Sequence, residues 1–471
     1  MDSSFSNLHV AILSSPGMGH LIPTLVLGNR LAAHHGVRVT VLLVTAAASP
    51  PESKLLKLPL HQQVQLMELP PVDISHLVDS STQVVTQLCL MVRSASASVR
   101  AAIAAMEPRP DALFVDHFGT DMLPIATELN MPKYVYIPTT AWFTALTVYC
   151  PILHQEIIGE YVHQKEPLKI PGCKPVRPDD VVDPMLDRTD QQYDEYLRMG
   201  RQIPLFDGIL INSWKDFDPQ TLCALSENEA LKSVIKIPVH PIGPVTRPVE
   251  PDGPNSKLAA WLDRQPNESV VFVSFGSGGM LSQEQITELA WGLELSRQRF
   301  VWVVRPPTTG RVDDAFFNVT TVSDDGGPNY LPEGFLTRVH KVGFLSPTWA
   351  PQVQILTHRA VGGFLSHCGW NSTLESITNG VPMIAWPLYA EQKMNAAFLA
   401  EEAGVALRPL PQRSQVVGRE EIETMVRTLM EEKCLREKAK QLKMSAIEAL
   451  KLGGSSHKSM CDLLAKIASK R

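Results

Sequence analysis

The chain has 471 residues, 44% of them apolar and 20% charged, with a formal charge of −6 from 43 basic and 49 acidic side chains. That length exceeds one ordinary hydrophobic core, and the composition is globular, which excludes a disordered chain and a membrane bundle. The mild acidity offers no electrostatic footprint for nucleic acid or an anionic membrane, although backbone amides can still bind a small phosphate locally.

The first residues, MDSSFSNLHVAILSS, show neither a basic leader nor an apolar segment before a cleavage site, and pass directly into a strand. No apolar run reaches the roughly 18 residues of a membrane span. The seven cysteines (Cys89, Cys150, Cys173, Cys223, Cys368, Cys434 and Cys461) are scattered, with no CxxC pair. They read as reduced thiols of a cytoplasmic protein, with no metal site and no disulfide framework expected.

In chain order, His9–Ser14, Arg38–Val44, Ala112–Val115, Lys133–Ile137 and Gly208–Ile211 are short, nearly continuous apolar runs, as parallel strands covered on both faces should be. Helices are predicted at Leu21–His34, Gln83–Met106 and Asp121–Leu129. The stretch Pro238–Pro254 holds six prolines and two glycines in 17 residues, a linker composition that resists helix and sheet interior. A second series follows, with strands at Val270–Phe275, Phe300–Val304, Gly343–Leu345, Gly362–Leu365 and Met383–Ala385. Its helices are predicted at Ser282–Leu295, Trp370–Thr378 and Met394–Glu402. Pro306–Asn329, with little periodicity, reads as an exposed loop without catalytic residues.

The alternation defines an α/β fold of two doubly wound domains, residues 1–240 and 256–455, joined by a proline-rich linker at 241–255. An amphipathic C-terminal helix, residues 456–471, is expected to pack back towards the N-terminal domain. Open α/β sheets bind ligands beyond the carboxyl ends of their strands, so function is expected in the loops after strands and in a cleft where the domains face each other.

The densest such region runs from Trp349 to Gln392, WAPQVQILTHRAVGGFLSHCGWNSTLESITNGVPMIAWPLYAEQ. Its strand leads through Ser366-His367-Cys368-Gly369 into a helix. The free N–H groups and positive dipole end of such a helix attract a phosphate. His367, Asn371, Ser372 and Thr373 add side-chain donors there. Taken alone, the turn reads more simply as an ordinary N-cap. Trp349 lies between Pro347 and Pro351, in a loop where an aromatic face is offered to a ligand rather than to a core. The glycines of Ser274–Gly279 allow a diphosphate to approach the backbone, and no GxGxxG dinucleotide fingerprint is present. His20 sits at the first strand-to-helix turn, and Asp116 ends the strand Ala112–Val115.

These 44 residues resemble, nearly position for position, the signature box of plant secondary-product glycosyltransferases that use uridine nucleotide sugars. The likeness extends over essentially the whole chain, through HLIPTLVLGNRL, VVFVSFGSGGMLSQEQITELAWGLE and PLYAEQKMNA. It is nearest to the group that glucosylates hydroquinone and related simple phenols. The resemblance implies two facing Rossmann-like domains in the GT-B architecture, an N-terminal one for the acceptor and a C-terminal one for the nucleotide sugar.

It also implies roles. Trp349 stacks on uracil while the Ala350 backbone reads its edge; Gln352 and Glu375 hold the ribose; His367, Asn371 and Ser372, with Ser277, take the diphosphate. Trp370, Glu391 and Gln392 face the sugar, and Thr140 contacts its 6-hydroxyl. Many members carry Asp where this chain has Glu391, and the final Gln is associated with glucose, so UDP-glucose is the expected donor. His20 and Asp116 match the family's base and its partner: neutral imidazole takes the acceptor proton, and a buried carboxylate fixes its tautomer. Met18, Phe118, Trp142, Phe143 and residues near Leu88–Met91 are expected to wall a flat aromatic acceptor.

The expected reaction is a single inverting displacement to a β-glucoside, requiring neither metal nor cofactor, by a monomer. Similar dyads also serve C-, N- and S-linkage, which the sequence leaves open. Of the rival readings, His117–Asp121 formally matches an acyltransferase HxxxD without its usual partner motif. Asp216-Phe217-Asp218 matches a metal-binding DxD but is better read as an acidic helix start. GxSxG is absent. A nucleotide-sugar sensor without turnover is the non-enzymatic alternative.

Overall fold

Two sheets, parallel throughout, form the frame of this computed structural model, which describes residues 5–46, 59–249, 257–308, 330–347, 349–409 and 416–471. Chain contacts divide it into two compact units. The first comprises Met1–Thr246 together with Ala446–Arg471, and the second comprises Arg247–Ser445. The second boundary falls inside the helix Lys433–Leu450.

The first unit's strands are β1 (His9–Ser14), β2 (Arg38–Leu43), β3 (Val64–Glu68), β4 (Ala112–Asp116), β5 (Lys133–Ile137), β6 (Gly208–Ile211) and β7 (Val239–Pro241), in the spatial order β3-β2-β1-β4-β5-β6-β7. The second unit's are β8 (Val270–Ser274), β9 (Arg299–Val304), β10 (Gly343–Pro347), β11 (Val361–Ser366), β12 (Met383–Ala385) and β13 (Ala406–Leu407), ordered β10-β9-β8-β11-β12-β13. Every residue of β1, β4, β8 and β11 is buried, as expected of central parallel strands covered on both faces.

In each sheet the chain runs outward from one central strand and then restarts on its other side. The direction therefore reverses between β1 and β4 in the first unit and between β8 and β11 in the second. Each reversal opens a crevice at the carboxyl ends of those two strands, the usual ligand position in open α/β sheets.

The first unit's core gathers Val10 and Ile12 of β1, Leu25, Leu27 and Leu31 of the helix Met18–His35, and Met460, Leu463, Leu464 and Ile467 of the last helix, Ser455–Ser469. The second core joins Val271 and Val273 to Leu289, Leu293, Trp302, Ile422 and Leu429.

Several elements differ from the sequence reading. The predicted helix Gln83–Met106 is two helices, Val84–Ser94 and Ser96–Ala104, divided at Ala95. There Ser96 Oγ donates to the Arg93 carbonyl, a local side-chain bond that competes with helical pairing. The segment predicted to resist sheet contains β7. It is an edge strand paired only with β6, the place in a sheet where proline is tolerated. Residues 309–329 of the predicted exposed loop, and 250–255 of the predicted linker, lie outside the described residues.

Candidate active site

In the first unit, the crevice between β1 and β4 holds His20 and Asp116. Leu13 pairs with Val115, so the two strands end side by side. Beyond β1 the chain turns at Gly17, with φ of 102°, into the helix Met18–His35, placing His20 in its first turn. Asp116, the last residue of β4, is 1% exposed. Its Oδ2 accepts from the Ser15 amide (2.9 Å), and its Oδ1 from Ser15 Oγ (2.6 Å) and the Gly119 amide (3.2 Å). Gly119 is dictated by this turn, because a Cβ there would stand 2.8 Å from that of Val115.

Asp116 Oδ2 lies 3.4 Å from His20 Nδ1, an ion-pair separation without the alignment of a hydrogen bond. Such pairs are often long in the absence of substrate. Burial pushes the Asp116 carboxyl up, but the interaction with nearby His20, the charge of His117 and the Ser15 hydroxyl together outweigh it, leaving it below the usual carboxylate range. His117 stands next to His20, ring centroids 5.4 Å apart. Burial and the charge of His20, against the attraction of Asp116, push His117 down to about 3, so it is neutral near pH 7. Its His–Asp motif dissolves structurally, since Asp121 is taken by Arg93 (2.8 Å) and Gln202 (2.9 Å).

Aromatic rings surround His20. Phe118 meets it edge-on at 5.0 Å, and Phe143 packs on His117 at 5.4 Å. Met18 is half-buried in the same helical turn as His20. Trp142 departs from the expected wall. It is fully buried in the helix Ala141–Glu156, which is apolar on most of its faces, and presents no surface to an acceptor. Leu88 to Met91 are likewise buried. Thr140 is buried as the N-cap of the helix Ala141–Glu156, accepting from the Phe143 amide at 2.9 Å. Asp218, of the DxD-like triplet, accepts from the Ala141 amide and Ser213 Oγ, which accounts for that carboxylate structurally.

In the second unit, Ser274 pairs with Ser366, so the loops after β8 and β11 leave the sheet together. The β11 loop, Ser366-His367-Cys368-Gly369, enters the helix Trp370–Asn379 at its N-cap Gly369, which carries no side-chain cap. A helix N-terminus directs its first-turn amides and the positive end of its dipole at an anion. His367 is 8% exposed and packs against the β8 loop so closely that a Cβ on Gly276, whose φ is 73°, would lie 2.4 Å from its ring. Burial, then the charge of Arg305, hold His367 down at about 4, leaving a neutral ring whose N–H can donate. Asn371 is half-buried, Ser372 buried and Ser277 exposed. Thr373 differs from the expectation: its side chain is fully buried, its hydroxyl has no hydrogen-bond partner, and it presents no donor at the surface of this turn.

Trp349 is 65% exposed, an unusual condition for a tryptophan that packs a core. Ala350 beside it is buried. Gln352 Nε2 donates to Ser372 Oγ (2.9 Å) and to Glu375 Oε2 (2.7 Å). Glu375, 2% exposed, also accepts from Arg247 Nε (2.8 Å) and Nη2 (3.4 Å). Gln392 Oε1 accepts from the amides of Leu388 (2.9 Å) and Tyr389 (3.1 Å), which fixes its oxygen inward and leaves its NH₂ as the group it can present. Glu391 Oε1 accepts from Asn395 (3.2 Å), and Trp370, 3% exposed, packs on Phe398.

Two cations were not singled out from the sequence. Arg247 lies in the segment read as linker. Arg305 follows β9, and its position just past a strand's carboxyl end was the available signal; it donates to the Ser277 carbonyl.

Two doubly wound parallel sheets, each with a loop-lined crevice at its reversal point, are the architecture of the GT-B class of glycosyltransferases, and solved members of that class superpose on this chain. The family model described as UDP-glucoronosyl and UDP-glucosyl transferase matches residues 242–449. Anthocyanidin 3-O-glucosyltransferase 5 of Manihot esculenta is 53% identical over 97% of this chain and 95% of its own. The hydroquinone glucosyltransferase of Rauvolfia serpentina is 42% identical over 98% of each chain. The solved structure of Phytolacca americana UGT2 complexed with UDP-2fluoro-glucose and pterostilbene superposes with a TM-score of 0.86 at 38% identity, covering 98% of this chain and 99% of that one. The chain belongs to the UDP-glycosyltransferase family and is a UDP-sugar-dependent glycosyltransferase. Among the described residues, no helix is long and apolar enough to cross a membrane.

Proposed function

We propose that the enzyme transfers glucose from UDP-glucose to a hydroxyl of a small aromatic acceptor, a phenol, phenylpropanoid or flavonoid, with inversion to the β-glucoside. The relatives named for an anthocyanidin and for hydroquinone support this acceptor class. In this reading the first unit binds the acceptor and the second binds the donor. Trp349 and Ala350 take the uracil, Gln352 and Glu375 the ribose, and Glu391 and Gln392 the glucose. The diphosphate lies on the amides at Trp370, Asn371 and Ser372, with His367 and Ser277.

His20 takes the acceptor proton as the oxygen attacks C1. The C1–oxygen bond to the diphosphate breaks on the opposite face, and UDP leaves with the bonding pair. The helix N-terminus and the His367 N–H stabilise the charge that develops on UDP, so the step calls for no metal ion. Asp116 stabilises the imidazolium that forms on His20.

The observation that carries the proposal is the buried Asp116 carboxylate, anchored by Ser15 and Gly119, 3.4 Å from a His20 that is itself 14% exposed. A base needs one face towards its substrate and one towards its partner. The test is proton NMR of the product made from UDP-α-glucose and hydroquinone. A β-anomeric glucoside is expected, whereas an α-product would refute inversion, and absence of a glucoside across simple phenols and flavonoids would refute the acceptor class.

A further inference from the structure

Among the described residues, one group of three His and Cys side chains lies within metal-ligating reach, and none of the three belongs to the candidate active site. His35 ends the helix Met18–His35, while His457 and Cys461 lie one turn apart on the helix Ser455–Ser469. An i, i+4 pair shares one helical face. The two helices belong to the same unit and meet in its core, which brings that face against His35.

One ligand atom from each residue lies within 4.8 Å of the others. Cys461 Sγ is 4.0 Å from His35 Nδ1 and 3.7 Å from His457 Nδ1. The imidazole rings are 5.5 Å apart, tilted at 35°. Around a tetrahedral zinc ion, bonds of about 2.3 Å to sulfur and about 2.0 Å to nitrogen set a sulfur–nitrogen separation of about 3.5 Å. The two sulfur–nitrogen separations exceed that by about half an ångström or less, within the reach of small χ adjustments. His35 is 1% exposed, and His457 and Cys461 are half-buried, so one ligand is fixed by the core and the others border solvent, from which an ion can enter.

We propose that His35, His457 and Cys461 form a binding site for a borderline-soft transition cation of the zinc class, with water as the fourth ligand. One thiolate and two imidazoles suit such an ion and are poor ligands for magnesium or calcium. On binding, the Cys461 thiol releases its proton to solvent, a sulfur–metal bond forms, and each imidazole donates a lone pair while remaining neutral. The ion staples the last helix of the chain to the first. Its ligands come from one residue on a separate helix and a pair at His-x₃-Cys spacing, an arrangement that a search for CxxC does not find.

The test uses tag-free, reduced, chelator-treated full-length enzyme titrated with Zn²⁺ against a chromophoric chelator, and with Co²⁺ followed by absorption. We expect one equivalent bound and a thiolate-to-cobalt charge-transfer band. Removing a residue that only hydrogen-bonds a metal ligand costs about 10–100-fold in metal affinity, so loss of a direct ligand in Cys461→Ser or His457→Gln should cost at least about 100-fold. The cobalt band should vanish in Cys461→Ser, with transferase activity preserved in both variants. Wild-type titrations that superimpose on those of the variants, or Co²⁺ binding without the thiolate band, would overturn the site. A readout on wild type alone guards against misfolded variants. One equivalent of Zn²⁺, but not Mg²⁺, should slow alkylation of Cys461 measured by peptide mass spectrometry, and an unchanged alkylation rate refutes the proposal.

Discussion

Asp116→Asn isolates the electrostatic part of the proposed dyad, because the amide matches the carboxylate in shape but not in charge. The native carboxylate spends Oδ1 on Ser15 Oγ and the Gly119 amide, and Oδ2 on the Ser15 amide and His20. An asparagine NH₂ in either position faces a backbone N–H, leaving a buried donor unsatisfied at about 1–3 kcal/mol. Were the NH₂ turned towards His20, it would also demand that Nδ1 accept, placing the imidazole proton on Nε2 and disabling the base. Opposite unit charges at the observed 3.4 Å attract by about 5 kcal/mol at an effective dielectric of about 20. If half to most of that is lost when the imidazolium forms, kcat/KM falls by about 10²–10³-fold at roughly 1.4 kcal/mol per tenfold. The assay is UDP release with hydroquinone, with UDP affinity measured by calorimetry as a control for the donor half. A folded variant that binds UDP normally and keeps more than about a tenth of wild-type kcat/KM would refute the reasoning.

Three further outcomes are expected. Trp349→Ala removes a base-stacking surface worth about 1–3 kcal/mol, so KM for UDP-glucose should rise about tenfold or more. Since that ring is 65% exposed, the unfolding temperature should stay within about a degree, and an unchanged KM would exclude the stacking role. Glu375→Gln takes a charge-assisted bond from Arg247 and the proposed ribose contact, so UDP affinity measured by calorimetry should fall about 10–100-fold; wild-type affinity would count against the assignment.

Acid should destabilise the fold through its buried neutral histidines. Unfolded His117 and His367 take up protons near 6.5, whereas the folded groups resist until about 3 and about 4. Stability is thus complete above about pH 6.5 and declines as pH falls, each group contributing up to about 1.4 kcal/mol per pH unit. The thermal midpoint should drop between pH 6.5 and 5, and less steeply in His117→Gln. Parallel slopes in the two proteins would contradict the burial account.

The central strands were legible because burial on both faces leaves only apolar residues in β1, β4, β8 and β11, and a run of that kind has few alternatives. Edge strands lack this signature. β3 is half-exposed along most of its length and β13 has two residues, so neither carries a continuous buried run, while β7 sits in proline-rich sequence that pointed away from a strand. The same logic explains Trp142: a helix buried on most faces has no periodicity to mark its outer side, and an aromatic residue after a strand could be assigned to a pocket when it belongs to the core. His20 and Asp116 could be placed from strand ends, whereas the Trp349–Gln392 box, whose turn alone reads as an N-cap, was legible through the family resemblance. The grip of Arg247 on Glu375 did not, because it joins residues 128 apart and its arginine lies where only a linker was visible.

The central claim is that His20 takes the acceptor proton. Its most direct test compares wild type with His20→Ala by UDP release over a series of acceptors of graded acidity. An acidic phenol is partly ionised without help, so the account predicts a loss approaching about 10²–10⁴-fold for a weakly acidic hydroxyl and a much smaller one for the most acidic phenol. Equal losses across the series, or none, would contradict it.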